Sequence, residues 1–378
     1  MAQALALARN AIPLSGPNPR VGCVLTDASG TLLGQGYTQQ AGGPHAEIVA
    51  LHDAAARGHS VRGATAYVTL EPCSHQGRTG PCCDALIAAG IGKVVASIGD
   101  PNPLVGGRGF ERLKAAGIAV ELGSGADESR ELNIGFFSRM VRGTPWVRMK
   151  AAASLDGKTA LNNGTSQWIT GEAARADGHA WRARAGAILT GVGTVIADDP
   201  HLNVRLDTHQ TGAASAPRQP PLAIVDSHLL TPPAARLFQT PGRAVWIYCA
   251  HADPARARAL EARGASVRLM PAADGHVDLA AMLRDLAARE VNELHVEAGH
   301  RLNGALIREN LLDELLLYLA PRFIGEGLGI ASHPHAAGPL TALTDALALR
   351  FLSIDPIGPD LRILARVAGR GDFHGQPA

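Results

Sequence analysis

The sharpest chemical signal in the chain is His45-Ala46-Glu47, followed 25 residues after Glu47 by Pro72-Cys73 and then by Cys82. One imidazole and two thiolates supply three of the four ligands that zinc takes in a tetrahedral shell, and a catalytic zinc keeps the fourth position open for water. Water held there has its pKa lowered to about 7 and becomes a nucleophile near neutrality. Replacing a ring amine by oxygen along this route also needs a proton carrier that lies near the metal without binding it. Glu47 is placed for that work, so the pattern points to a zinc-dependent deaminase.

The elements that must hold these groups can be read from the same stretch. Gly42-Gly43-Pro44 leads into a helix expected over Ala46–Ala56, and Pro81 leads into one over Cys82–Ala89; Gly58 and Gly90 stop them. A helix N-terminus favours a thiolate, which suits Cys82. Cys83 points about 100° further round its helix and is expected to pack, as are Cys23 and Cys249. Val21–Thr26, Ala64–Leu70 and Lys93–Ile98 read as strands, and Asp27-Ala-Ser-Gly30 joins the first of them to Thr31–Gln35 as a hairpin. Strands alternating with helices argue for a covered α/β sheet.

The pattern closes with a helix expected over Asp127–Met140 and restarts after the breakers Gly143 and Pro145. That places a deaminase domain over residues 1–143 and a second domain over 144–368, with 369–378 read as a disordered tail. Strands are expected at Trp146–Ala152, Ala187–Thr190, Leu222–Val225, Ala244–Cys249, Glu293–Glu297, Glu314–Ala320 and Asp360–Val367. Helices are expected at Glu172–Ala185 and Leu302–Asn310, and a surface loop at Gln210–Pro221. The length, 378 residues, suits two domains. Lys plus Arg (35) balances Asp plus Glu (34), which gives no global attraction to nucleic acid. No apolar run of about 18 residues argues for a membrane span. Met1–Asn10 reads as a first helix rather than a signal peptide. Five cysteines, three of them within Cys73–Cys83, suit a reduced, cytoplasmic metalloprotein better than a disulfide framework.

In one respect the chain departs from the common zinc-deaminase spacing, where two residues separate the cysteines. Here eight do, Ser74-His-Gln-Gly-Arg-Thr-Gly-Pro81, and His75, Arg78 and Thr79 are donors suited to phosphate oxygens. A phosphorylated substrate explains that insert. Together with Asn18-Pro-Arg-Val-Gly22, Gly43–Glu47, Tyr67–Thr79 and Gly99-Asp-Pro-Asn-Pro103, it resembles the bacterial bifunctional riboflavin-biosynthesis deaminase/reductase family. The resemblance implies a cytidine-deaminase-like α/β/α domain followed by a dihydrofolate-reductase-like α/β domain. It implies deamination of diaminohydroxyphosphoribosylaminopyrimidine, then reduction of the ribosyl group to ribityl by NADPH. His45, Cys73 and Cys82 would bind zinc, Glu47 would move the proton, Asn18 would meet the pyrimidine, and His75 and Arg78 the phosphate side. Thr38 stands where some relatives carry a histidine near the substrate.

The second half carries Lys150–Lys158, Ser166–Gly171, Gly191–Pro200 and Val296-Glu-Ala-Gly299, with no full G-x-G-x-x-G after a strand. Its best phosphate cradle is the glycine-bearing turn Gly299–Ala305. Carried over by resemblance, Ala152, Trp168, Thr194, Asp198, Ser227 and the turn Gly299, His300, Arg301, Leu302, Asn303, Gly304 and Ala305 line the NADPH site. Ser166, Arg182, Leu202, Arg205 and Glu297 face the substrate, the arginines toward its phosphate. Lys150 and Glu297 are the candidates for polarising and protonating the open, imine form of the sugar, whose C1 receives hydride. Two other readings fit the sequence less well. A nucleic-acid-editing deaminase would show the short cysteine spacing and a basic surface. A non-catalytic zinc module needs a fourth ligand and gives Glu47 no role. The partner expected is a small phosphorylated pyrimidine, with no nucleic acid or membrane, in a homo-oligomer built through the second domain.

Overall fold

The computed structural model describes residues 1–76, 80–103, 105–206, 218–332, 340 and 342–373. The chain divides into two compact units: Met1–Thr144 with residues from Phe373 onward, and Pro145–Asp372. No helix among the described residues is long and apolar enough to cross a membrane.

The first unit runs α1 (Ala2–Arg9), β1 (Gly22–Thr26), β2 (Leu32–Tyr37), α2 (Ala46–Ala56), β3 (Thr65–Val68), α3 (Cys82–Ala88), β4 (Lys93–Ala96), α4 (Arg108–Ala115), β5 (Ala119–Leu122), α5 (Ala126–Leu132) and α6 (Ile134–Arg142). Its strands lie in the order β2-β1-β3-β4-β5. β1 is antiparallel to both its neighbours, and β3, β4 and β5 are parallel. Two glycines in β2 decide how close α2 comes. A Cβ on Gly34 would stand 2.4 Å from the Ala50 carbonyl oxygen, and one on Gly36 2.6 Å from the Ala50 nitrogen. With no side chain there, α2 lies directly on the sheet with Ala46, Ala50 and Ala54 buried, and His45 and Glu47 are carried to the strand ends.

The single closing helix expected over Asp127–Met140 is instead two. Asn133 breaks it, because its side chain is committed to backbone elsewhere: it accepts from Arg20 N–H at 2.7 Å and donates to the Arg20 carbonyl at 3.0 Å. A short polar side chain that outbids the helix for a distant backbone leaves no periodicity signal.

The second unit contains β6 (Trp146–Ser154), β7 (Lys158–Leu161), α7 (Glu172–Ala183), β8 (Ala187–Gly191), α8 (Val192–Asp198), β9 (Leu222–Val225), β10 (Val245–Cys249), α9 (Pro254–Glu261), β11 (Ala265–Leu269), α10 (Leu279–Ala288), β12 (Glu293–Val296), α11 (His300–Arg308), β13 (Glu314–Ala320), β14 (Gly327–Gly329), β15 (Leu349–Ile357) and β16 (Asp360–Val367). The main sheet has the order β11-β10-β9-β8-β12-β6-β13-β16-β15. Its strands from β11 to β13 are parallel, and β16 and β15 are added antiparallel. The near-continuous apolar runs of β8, β9 and β10 fit strands covered on both faces. One row of the sheet is charged: Arg148 bonds Glu293 and Glu314, and Arg366 bonds Glu314, all of them buried. Each charge there has its partner, as buried charges require.

Gly191–Pro200, expected as a glycine-rich turn, winds into α8 after its first residue. The segment read as a disordered tail begins with ordered contacts. Arg370 donates to the Asn310 carbonyl and pairs with Asp313, and the Phe373 ring lies 5.8 Å from that of Phe137. An aromatic residue in a Gly-rich tail was the overlooked sign of packing. Residues 374–378, and most of the Gln210–Pro221 loop, lie outside the described residues.

Candidate active sites

His45 is the N-cap of α2, entered through Gly42 with its φ of +91°, and Cys82 is the first residue of α3 after Pro81. Cys73 follows β3 in the loop between them. The Nδ1 of His45 stands 3.6 Å from Cys73 Sγ and 3.4 Å from Cys82 Sγ, and the three ligand atoms lie within 4.8 Å of one another. Zinc bonds of about 2.0 Å to nitrogen and about 2.3 Å to sulfur, at a tetrahedral angle, separate N and S by roughly 3.6 Å. The donor set therefore fits that ion. Among the described residues this is the one His/Cys/Asp/Glu cluster able to hold a metal, and no fourth protein ligand closes it.

The Cys82 side chain hydrogen-bonds to Cys73 and holds that thiol down at about 4, with the Cys82 backbone N–H adding a bond at 3.3 Å. The same contact and burial push the Cys82 thiol up. Glu47 is buried; burial, reinforced by the Cys73 charge, lifts its carboxyl to about 7. Cys83 stays out of the cluster: its thiol donates to the Pro72 carbonyl at 3.2 Å, and burial pushes it up to about 12.

Two buried acids beside the cluster were not singled out from the sequence. Glu71 accepts from the N–H groups of Asp100, Gly107, Gly109 and Phe110, at 3.2, 3.0, 2.8 and 3.3 Å, and so ties the first turn of α4 and the segment before it to the loop that carries Cys73. Asp100 is lifted to about 7 by burial and accepts from Asn102 N–H at 2.8 Å. Both lie in motifs quoted for the resemblance, but a carboxylate whose partners are backbone N–H groups from a distant loop carries no spacing rule. Asn18 is half-buried after a turn closed by its N–H to the Ser15 carbonyl at 2.8 Å. His75 keeps its Nδ1 buried with no hydrogen-bond partner among the described residues. The Thr38 hydroxyl is spent on the Val21 backbone, 3.2 Å from its nitrogen. Arg78 and Thr79 lie outside the described residues.

In the second unit, Arg182 on α7 grips Glu297 at the end of β12 with two bonds, Nε to Oε1 at 2.6 Å and Nη2 to Oε2 at 2.8 Å. Its Nη1 donates to the Asn203 carbonyl at 2.5 Å and lies 3.3 Å from His179 Nδ1. Four of the five guanidinium N–H groups then have partners within the protein. Arg205, on the exposed loop beyond, is the freer cation: among the described residues only the Nη1 of its guanidinium is engaged, by Asn203 Oδ1 at 2.7 Å. Burial pushes the Glu297 carboxyl up, but the Arg182 charge, the His295 ring 3.4 Å away and Lys150 outweigh it and hold it well below the usual range. Burial draws Lys150 down from the ordinary lysine range, against the pull of Glu297. A depressed ammonium is the better proton donor.

The residues expected around the cofactor separate into two groups. Gly191 caps α8 and Gly299 caps α11, after the neighbouring strands β8 and β12. A Cβ on Gly299 would sit 3.8 Å from Thr194 Oγ1, and one on Gly191 3.5 Å from Leu302. Two helix N-termini are thus side by side with backbone exposed, an arrangement fit for a pyrophosphate. Gly299, His300, Arg301 and Thr194 belong to this group. The rest of the turn points elsewhere. Asn303 is buried and donates to the Ile330 carbonyl at 2.9 Å, and a Cβ on Gly304 would fall 1.5 Å from the Ser332 oxygen. Leu302 and Ala305 pack against the core. Those four positions pack α11 in place. Ser166 and Asp198 line one open cleft of about 530 Å³. Trp168 is exposed, with Arg175 4.6 Å from its ring centroid. Ala152 is half-buried on β6, and Ser227 follows β9 with its carbonyl bonded to Ala250 and His251 N–H. Leu202 has its side chain buried and can offer a ligand only backbone.

An open His/Cys₂ centre with an unligated buried carboxylate, set at helix mouths on this sheet, defines a zinc-dependent deaminase joined to a second, parallel α/β domain. Residues 1–98 match the cytidine and deoxycytidylate deaminase zinc-binding region, and residues 145–363 match the RibD C-terminal domain. The riboflavin biosynthesis protein RibD of Escherichia coli K12 is 45% identical over 372 residues, covering 96% of each chain; that of Haemophilus influenzae is 41% identical over 369. A solved RibD of Acinetobacter baumannii superposes with a TM-score of 0.84 at 36% identity, over 97% of both chains. The diaminohydroxyphosphoribosylaminopyrimidine deaminase/5-amino-6-(5-phosphoribosylamino)uracil reductase of Thermotoga maritima does so at 0.82 with 28% identity. The chain belongs to the RibD family of riboflavin-biosynthesis proteins, bifunctional enzymes with a deaminase and a reductase domain.

Proposed function

We propose that the chain deaminates diaminohydroxyphosphoribosylaminopyrimidine in its first unit and reduces the resulting 5-amino-6-(5-phosphoribosylamino)uracil to its ribityl form in its second. The observation that carries the first half is the three-ligand cluster with Glu47 buried beside it. Zinc held by His45, Cys73 and Cys82 would supply the Lewis acidity that makes water nucleophilic near neutrality. Glu47 takes one proton from the attacking water and passes it to the ring nitrogen, then takes the second from the hydroxyl now on the ring carbon and delivers it to the amine that leaves as ammonia. Asn18 binds the pyrimidine, and His75 and Arg78 meet the phosphate side.

For the second half, the paired glycine-capped helix starts support a dinucleotide, with Ala152, Trp168, Asp198 and Ser227 along its length. NADPH, when bound, supplies the hydride. Lys150 polarises and protonates the opened sugar, Glu297 holds Lys150 and Arg182 in place, and Arg205 with Ser166 orients the substrate. A homo-oligomer through the second unit fits the outer strand β15, which exposes Leu349, Phe351 and Ile354 and has no partner on its outer edge among the described residues. The five free cysteines suit the cytoplasm. Incubating the protein with the pyrimidine, with and without NADPH, tests the reading. Ammonia should appear in both reactions and NADPH oxidation should follow it in one. No ammonia from zinc-loaded protein, or no NADPH oxidation after ammonia release, would refute the corresponding half.

A further inference from the structure

His179 lies three residues before Arg182 on α7, hence on the same face of the helix. Its Nδ1 accepts from the backbone N–H of Arg205 at 3.3 Å and lies 3.3 Å from the Arg182 Nη1 donor. An imidazole that accepts at Nδ1 must carry its proton on Nε2. Nε2 has no partner among the described residues, and the ring is only half-buried with Nε2 not sealed from solvent, so its N–H is open to a ligand. Around it stand Arg182 and Glu297, paired to each other, then Arg205 and Lys150. Burial, with the charges of Arg182 and Arg205, holds the ring down at about 4, so it stays neutral and the tautomer stays fixed.

From this geometry we propose that His179 binds the substrate of the reductase centre, its Nε2–H donating to an oxygen of the substrate's phosphate beside Arg205. The inference rests on the reductase reading above. With most of Arg182 consumed by Glu297 and Asn203, one guanidinium alone would face a dianion, and a neutral donor of fixed direction completes its shell. The same contacts tie the donor to Arg205: the backbone N–H that orients His179 belongs to the residue whose side chain supplies the charge.

The test uses the full-length protein with His179→Phe, which keeps the ring's bulk, and His179→Gln, whose amide can both accept and donate. The Michaelis constant for 5-amino-6-(5-phosphoribosylamino)uracil should rise about tenfold or more in His179→Phe, in line with a lost hydrogen bond to a charged group. His179→Gln should recover to within about threefold, the constant for NADPH should not change, and competitive inhibition by inorganic phosphate should weaken in parallel. The dephosphorylated substrate should be turned over equally by wild type and His179→Phe, which a merely structural loss would not allow. An unchanged substrate constant in His179→Phe, an equal loss with the dephosphorylated substrate, or a shift confined to NADPH would each overturn the assignment. Failure of the wild type to oxidise NADPH at all would instead sink the underlying reductase reading.

Discussion

Within α3, Cys82 and Cys83 are adjacent in sequence and separated by chemistry: one faces His45 and Cys73, the other donates to the Pro72 carbonyl and belongs to the core. The helix turn of about 100° per residue makes that division, and it could be read before any coordinates. Cys82→Ser should lower bound zinc, measured by metal analysis of the purified protein, and deaminase activity with it. Cys83→Ser should keep near-stoichiometric zinc and lose stability only. The reverse ranking would mean that the ligand is misassigned. The metal set was legible because zinc dictates both residue types and their approach. Glu71 and Asp100 were not, since their partners are backbone groups of a distant loop. The sequence also placed Arg182 on phosphate; the bidentate grip on Glu297 depends on α7 and the end of β12 meeting in space.

Most α/β elements of the first unit fall where alternation and glycine stops put them: α2 spans Ala46–Ala56 as expected, and Gly58 and Gly90 have left-handed φ values of +74° and +72°. Where the reading failed, a tertiary demand won. Asn133 split one helix for the sake of Arg20, and the outer strand β15, Leu349–Ile357, gave little alternation because neither of its faces is deeply covered. The turn Gly299–Ala305 is the instructive case, since glycine there serves two purposes. Gly299 exposes a helix start, whereas Gly304 lets α11 touch the Ser332 backbone. Gly304→Ala should therefore destabilise the second unit by roughly 1–3 kcal/mol or more through overpacking, read from its urea transition. In protein that remains folded, the Michaelis constant for NADPH should stay within about twofold. A stable Gly304→Ala protein with weakened NADPH binding would restore Gly304 to the cofactor site.

At the scale of the molecule, each unit holds a complete polar constellation: the zinc cluster draws on residues before Asp84, and the Lys150–Glu297–Arg182 group lies wholly within Pro145–Asp372. The chemistry allows the same division, because ammonia release needs no hydride and the reduction needs no metal. The family matches divide at the same place, one covering residues 1–98 and the other 145–363. Point variants test whether two centres act in sequence while leaving the chain whole. The most direct measurement supplies Glu47→Gln protein with the deaminated substrate and records NADPH oxidation, then supplies it with the original pyrimidine and records ammonia. Ammonia release should fall about 100-fold or more, with zinc retained, since a general acid–base contributes roughly 10²–10⁴ in rate. NADPH oxidation from the deaminated substrate should stay within about twofold of wild type. Loss of NADPH oxidation by folded, zinc-bound Glu47→Gln protein would mean that the two reactions share one centre, contrary to this account.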